Sequence, residues 1–235
     1  MPNYRVTGNQ LSNSALNVTT NGAPPETINV FGTTQMDFSL AYGDTATVNL
    51  ADYSQWVGGF HESPGDMVRV AGKGTFANTS STINGTAIIG SAVVGTGKFN
   101  IYEAHSSGKL EFMHSVSAGQ TVSVSGYESY GGQFGVLQVD DPAAYHATNI
   151  LGFGEIILEG LRATGYTFDS LPGSMYPSVL SLYNGNDRIY TTHTSVQTVN
   201  GSAPVNFGVS QTAAGVVIHA DGTSYHDGGV LLGHA

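Results

Sequence analysis

From Phe99 to Val139 the chain returns, roughly every 11 to 13 residues, to a short apolar–polar–apolar core bounded by glycine, serine or asparagine, and few folds accept that pattern. The cores begin at positions 99, 110, 122 and 134 to 137. Alternation with period two puts successive side chains on opposite faces of a strand. It recurs in Phe99-Asn100-Ile101, Leu110-Glu111-Phe112, Val122-Ser123-Val124, Leu137-Gln138-Val139, Leu180-Ser181-Leu182 and Val205-Asn206-Phe207. Helical spacing, by contrast, nowhere survives more than about ten residues before a glycine, proline or asparagine interrupts it. The fold class is therefore all-β. Two architectures generate short strands at this interval: a β-solenoid resembling a parallel β-helix, and an antiparallel β-sandwich or barrel. The solenoid is preferred, because Gly, Ser, Thr and Asn suit corners and outward positions while the backbone amides pair between rungs. The sandwich remains the alternative.

Asn-Gly pairs supply the positive φ values of tight hairpin turns, and four occur, at Asn21-Gly22, Asn84-Gly85, Asn184-Gly185 and Asn200-Gly201. The third lies between Leu180-Ser181-Leu182-Tyr183 and Arg188-Ile189-Tyr190, which predicts a hairpin there. The N-terminal part is less regular, broken by Pro24-Pro25, Gly58-Gly59 and Pro64-Gly65. Tyr53 to Phe60 reads as an aromatic-rich loop, and the polar run Asn78-Thr79-Ser80-Ser81-Thr82 as a soft boundary. The expected division is an irregular β-rich segment over 1–80 and a solenoid-like module over 81–235, the two forming either separate units or one continuous domain.

Composition narrows the function. Charged residues are 10% of the 235, against about 25% in an average soluble domain, and hydroxyls and amides take their place at the surface. A net charge of −10 with seven scattered Lys and Arg argues against nucleic acid and anionic membranes, which demand clustered cations. With no cysteine there are no disulfides, thiolate metal sites or Cys nucleophile. Met1-Pro2-Asn3-Tyr4-Arg5 does not begin a classical signal peptide, and no apolar run is long enough for a membrane-spanning helix. A Gly-, Thr- and Asn-rich surface without cystines points to a bacterial or phage protein outside the cell or on its surface.

The segments Gly95-Thr96-Gly97-Lys98-Phe99-Asn100-Ile101, Gly108-Lys109-Leu110-Glu111-Phe112, Val116-Ser117-Ala118-Gly119-Gln120-Thr121-Val122 and Leu137-Gln138-Val139-Asp140-Asp141-Pro142 together carry a resemblance. They resemble the Gly/Thr-rich repeat module of large proteobacterial surface and adhesin-like, autotransporter-like proteins. That module's closing Gly-Phe-x-x-Gly-Asp-x-Ile-Asp-Leu is shortened here to Ile150-Leu151-Gly152-Phe153-Gly154-Glu155-Ile156-Ile157-Leu158-Glu159-Gly160-Leu161, without the Gly-Asp pair. The resemblance covers about residues 95 to 220 and implies a solenoid-like stalk or scaffold displayed at a surface. It brings no catalytic residues with it.

No catalytic or cofactor motif stands out. Gly-x-Ser-x-Gly is missing, and Gly72-Lys73-Gly74-Thr75-Phe76-Ala77 leads into a polar strand-like segment rather than a helix, so it reads as a Gly-rich turn. Glu103, Glu111, Glu128, Asp140 and Asp141 are the carboxylates available for a glycosidase pair. Asp140-Asp141-Pro142 has a simpler reading as a turn in which Asp side chains bond nearby amides. His219, Asp221, His226 and Asp227 are candidates for a divalent metal, although their spacing fits no closed site and a solvated tail or terminal strand explains them as well. No cofactor is expected. Tyr127, Tyr130, Tyr145, Tyr166, Tyr183, Tyr190 and Tyr225 offer rings for a sugar-binding face or for stacks between rungs.

The leading expectation is a non-enzymatic structural or adhesive protein that associates with copies of itself into a fibre or surface matrix. Tyr4 and Val6 at one end, with Val230, Leu231 and Leu232 at the other, are the candidates to complete a neighbour's sheet. A module that binds surface glycans or degrades polysaccharide is the first alternative, and a phage or virion structural component the second.

Overall fold

The computed structural model describes residues 3–7, 16–19, 26–40, 42–102, 108–124, 135–152, 154–170, 178–196, 207–220 and 230–234. The strands coil in successive rungs. β1 (Asn3–Thr7) and β2 (Leu16–Thr19) are followed by β3 (Glu26–Phe31) with β4 (Thr33–Ser39), then β5 (Thr45–Leu50) with β6 (Gln55–His61). Thereafter the second half of each rung divides in two. β7 (Met67–Gly72) leads to β8 (Thr75–Asn78) and β9 (Ser80–Ile83), and β10 (Thr86–Ile89) leads to β11 (Ala92–Val94) and β12 (Lys98–Ile101). β13 (Lys109–Phe112) and β14 (Thr121–Val124) flank the bridging residue Val116, while β15 (Gly135–Val139) and β16 (Thr148–Leu151) flank its partner Tyr145. β17 (Gly154–Glu159) ends the regular coil.

Each first-half strand pairs in parallel with the next, from β1 through β3, β5, β7, β10, β13 and β15 to β17. The second halves stack likewise through β2, β4, β6, β9, β12, β14 and β16. This is a β-solenoid, as the strand spacing led us to expect. The interval of 11 to 13 residues is half a rung, since the cores at 99, 110, 122 and 137 fall alternately in β12, β13, β14 and β15. Whole rungs vary in length: Met67 stacks on Thr86, 19 residues on, and Lys109 on Val136, 27 residues on. Both sheets run through residue 80 without a break, and β9 itself spans it.

From β3 to β16, period-two alternation sends one side of the strands into a single core. Ala46, Val48 and Leu50 of β5 and Leu110 and Phe112 of β13 are buried, while Thr45, Thr47, Lys109 and Glu111 face outward. A run of rings occupies the interior: Phe38, Trp56, Phe60, Phe76, Phe99, Phe112 and Tyr145, with Trp56 and Phe76 stacked at 4.1 Å between centroids.

Two of the sequence expectations are overturned here. Tyr53 to Phe60 is not a loop, because only its first two residues turn and Gln55–His61 is a strand that buries Trp56 and Phe60. Gly59, which looked like a breaker, is demanded by a close approach: a Cβ there would sit 1.7 Å from the Ser80 carbonyl oxygen of the next rung. The polar run at 78–82 is not a boundary either. Asn78 and Ser81 are buried, and the Ser81 hydroxyl donates to Asn78 Oδ1 at 2.7 Å. Asn78 Nδ2 donates to Gln120 Oε1 at 3.0 Å, and Gln120 Nε2 donates to the carbonyls of Asn78 and Val94, so one amide ties three successive rungs. Gln120→Ala strands these buried groups, and a loss of about 1–3 kcal/mol in urea unfolding is the expected result.

The C-terminal strands change direction. β18 (Gly165–Ser170), β19 (Ser178–Asn184) and β20 (Asp187–Val196) form an antiparallel meander whose last strand continues the β16 stack in parallel. β21 (Phe207–Gln211) and β22 (Gly215–Ala220) pair with each other, and β22 adds antiparallel to β17. β23 (Val230–Leu231) then closes one sheet beside β21 and β24 (Gly233–His234) the other beside β18. The expected hairpin is present between β19 and β20, but Asn184 pairs with Asp187, so the loop residues are Gly185 and Asn186 rather than Asn184 and Gly185. Asn84-Gly85 is a solenoid corner, not a hairpin, and the other two Asn-Gly pairs lie outside the described residues.

Candidate functional site

Where the chain leaves the first sheet, its corners stack into a ridge bordered by an open cleft. The corner after β5 turns tightly, with the Ser54 amide and hydroxyl both donating to the Ala51 carbonyl at 3.0 and 2.7 Å. The next corner is Gly72-Lys73-Gly74, the Gly-rich turn expected from sequence. A Cβ at Gly74 would meet Ser54 Oγ at 2.5 Å, so glycine lets the two corners nest. The first corner carries Tyr53, fully exposed and held at φ 61°, a left-handed conformation that costs a side-chain-bearing residue about 1–3 kcal/mol. Its neighbour Asp52 approaches Lys73 at 3.9 Å, both in solvent.

The cleft beside Tyr53 has a volume of about 680 Å³ and is lined by Thr33, Asp52, Gln55, Lys73 and Thr75. A second of about 460 Å³ shares Lys73 and Gly74 with it and continues past Ser91, His114, Ser115 and Asp141. The lining repeats by rung, for Thr33 pairs with Gln55, Gln55 with Thr75, and Thr75 with Ala92. Ser115 and Ala144 extend the row, each preceding one of the bridged residues Val116 and Tyr145.

At the opposite corners carboxylates gather. Glu62 is buried, its Oε2 accepting from the Gly85 amide at 3.2 Å. Burial, with the Asp66 charge as a lesser contributor, pushes its pKa up to about 9. Asp66 accepts from the Asp44 amide at 3.1 Å and is raised as well, chiefly by burial. Among the described residues no group of three His, Cys, Asp or Glu is arranged to hold a metal ion.

The carboxylates and histidines singled out from sequence are scattered. Glu111 pairs with Lys109 at 3.1 Å. Gln138 Nε2 donates to Asp140 at 3.0 Å and to Glu159 at 2.7 Å. Asp141 precedes a 3₁₀ turn at Pro142–Ala144 but caps it with its carbonyl rather than its side chain. Glu103 and Glu128 lie outside the described residues. So do Asp221, His226 and Asp227, whereas His219 is not in a tail: it sits buried in β22, directly opposite Glu155 of β17 and over Gly208 of β21. The apolar run Val216-Val217-Ile218 just before it is the signal for an interior strand.

The described members of the tyrosine set form no exposed face. Tyr145 is in the core, its hydroxyl donating to Asn149, and Tyr166, Tyr183 and Tyr190 are half-buried. Tyr127, Tyr130 and Tyr225 lie outside the described residues. Tyr53 was not in that set, and its signal was an aromatic ring at a turn position, outside any alternating strand. Among the described residues no helix is long and apolar enough to cross a membrane. Compared with known proteins, the chain matches no family model, no curated protein and no solved structure.

Proposed function

We propose that this protein is a structural element of a bacterial surface or extracellular matrix that associates with copies of itself through its strand edges. One observation carries this reading: β1, with Tyr4 and Val6, and β23, with Val230 and Leu231, are the opposite outer strands of the same eleven-stranded sheet. Each pairs on one side within its own chain, and no described strand covers the other. An unpaired row of backbone amides and carbonyls is a template for another strand. β2 and β24 border the second sheet in the same way. Followed through the pairings, β23 runs opposite to β1 and β24 runs with β2, so head-to-tail contact is antiparallel in one sheet and parallel in the other. Val230 is 69% exposed, leaving apolar surface at the joint. Light scattering over a concentration series is expected to reveal species larger than the monomer. Val6→Pro and Val230→Pro should each weaken association at least tenfold, or about 1.4 kcal/mol. A strict monomer at high concentration would sink the idea.

A further inference from the structure

Two corner clefts that share Lys73 and Gly74 follow each other across the rungs, along the axis of the solenoid, and we infer that together they bind a linear, uncharged polysaccharide chain. The length of this joint cleft favours a polymer. From Thr33 through Gln55, Thr75, Ala92 and Ser115 to Ala144 the lining advances five rungs, which at about 4.8 Å per rung makes roughly 24 Å.

Its chemistry favours sugar. The Tyr53 ring is wholly in solvent and offers a flat apolar surface on which the carbon face of a pyranose stacks. Around it Thr33, Gln55 and Thr75 supply donors and acceptors at three successive rungs, which suits a ligand whose hydroxyls recur at a regular interval. An extended apolar peptide would instead need side-chain pockets, and the lining is mostly hydroxyl, amide and glycine.

Its charge favours a neutral chain. Asp52 and Asp141 outnumber Lys73, so the cleft offers a polyanion no cluster of cations, and the protein carries −10 overall. The same two acids argue for retention without cleavage. They follow β5 and β15, four rungs apart, or roughly 19 Å, whereas the carboxyl pair of a glycosidase is about 5–9.5 Å apart.

Affinity electrophoresis of the full chain in gels holding β-glucan, xylan, mannan or galactan, with alginate and pectate alongside, tests the inference. At least one neutral polymer is expected to retard the protein and the acidic ones are not. Tyr53→Gly removes the ring and suits the left-handed backbone, so its circular dichroism should match the parent and its melting temperature should not fall, while retardation drops at least tenfold. Ser115→Trp, which obstructs the far half of the cleft, should weaken binding to long chains more than to short oligomers. No retardation by any neutral polymer, equal retardation of parent and both variants, or preference for alginate or pectate would overturn it. Self-association abolished by Tyr53→Gly would overturn it too, by giving the cleft to a second copy.

Discussion

Trp56→Ala is expected to cost about 3–5 kcal/mol, because a large buried ring is removed and the surrounding rungs cannot close over the space. Trp56 is fully buried, lies between the rings of Phe38 and Phe76, and donates its indole N–H to the Met36 carbonyl at 2.7 Å, so the substitution also leaves that backbone oxygen without its donor. Rungs of a solenoid contact chiefly their neighbours, and a defect of this size uncouples those on either side. Urea unfolding should shift to lower concentration and become broader as the N-terminal rungs melt ahead of the rest. The signal must be far-UV circular dichroism, since Trp56 is the single tryptophan. A midpoint within experimental error of the parent would show that the rings before Phe76 contribute little.

Glu62→Gln is expected to act in the opposite direction, raising stability above neutral pH. Below about pH 4.5 the Glu62 carboxyl keeps its proton in the folded and the unfolded chain alike. Between there and about pH 9 the folded chain holds a proton that the unfolded chain releases, so stability falls as pH rises. Asp66, raised chiefly by its own burial, adds to the slope with the same sign. At about 1.4 kcal/mol per unit, the variant should gain roughly 2–5 kcal/mol at pH 8 and almost nothing at pH 4. Urea midpoints measured from pH 4 to 9 read this directly. A parent whose stability is flat across that range, or a variant that follows the same slope, removes Glu62 as its source.

Strand content and the solenoid interval were legible from Phe99 to Val139 because both arise from local alternation. What sequence concealed depends on partners a rung or more away. Gly58-Gly59 looks like a chain break until the Ser80 carbonyl of the next rung is laid against Gly59. Asn78 and Ser81 look like linker residues until Gln120, 42 positions on from Asn78, arrives to accept from Asn78, which in turn accepts from the Ser81 hydroxyl. The reversal of strand direction after β17 leaves no local mark, since β22 reads as the same apolar run in either orientation. Of the residues in the proposed function, the terminal strands could be picked out from their apolar content. Tyr53 could not, because a tyrosine in a turn gains meaning only when Thr33, Gln55 and Thr75 align beside it.

Coils of similar rungs face a kinetic hazard, for a strand that settles one rung too early still finds a parallel partner and a greasy interior. Here Gln120 is placed to act as a proofreader. Its amide is satisfied only when the corners at Asn78 and Val94 lie in order beneath it, and a slipped coil would leave a buried carboxamide begging for partners. Unequal rung lengths strengthen the check, because a shift that fits a 19-residue rung does not fit one of 27. Refolding of a Gln120→Leu chain should therefore yield more misregistered, aggregation-prone product than its equilibrium stability alone would suggest.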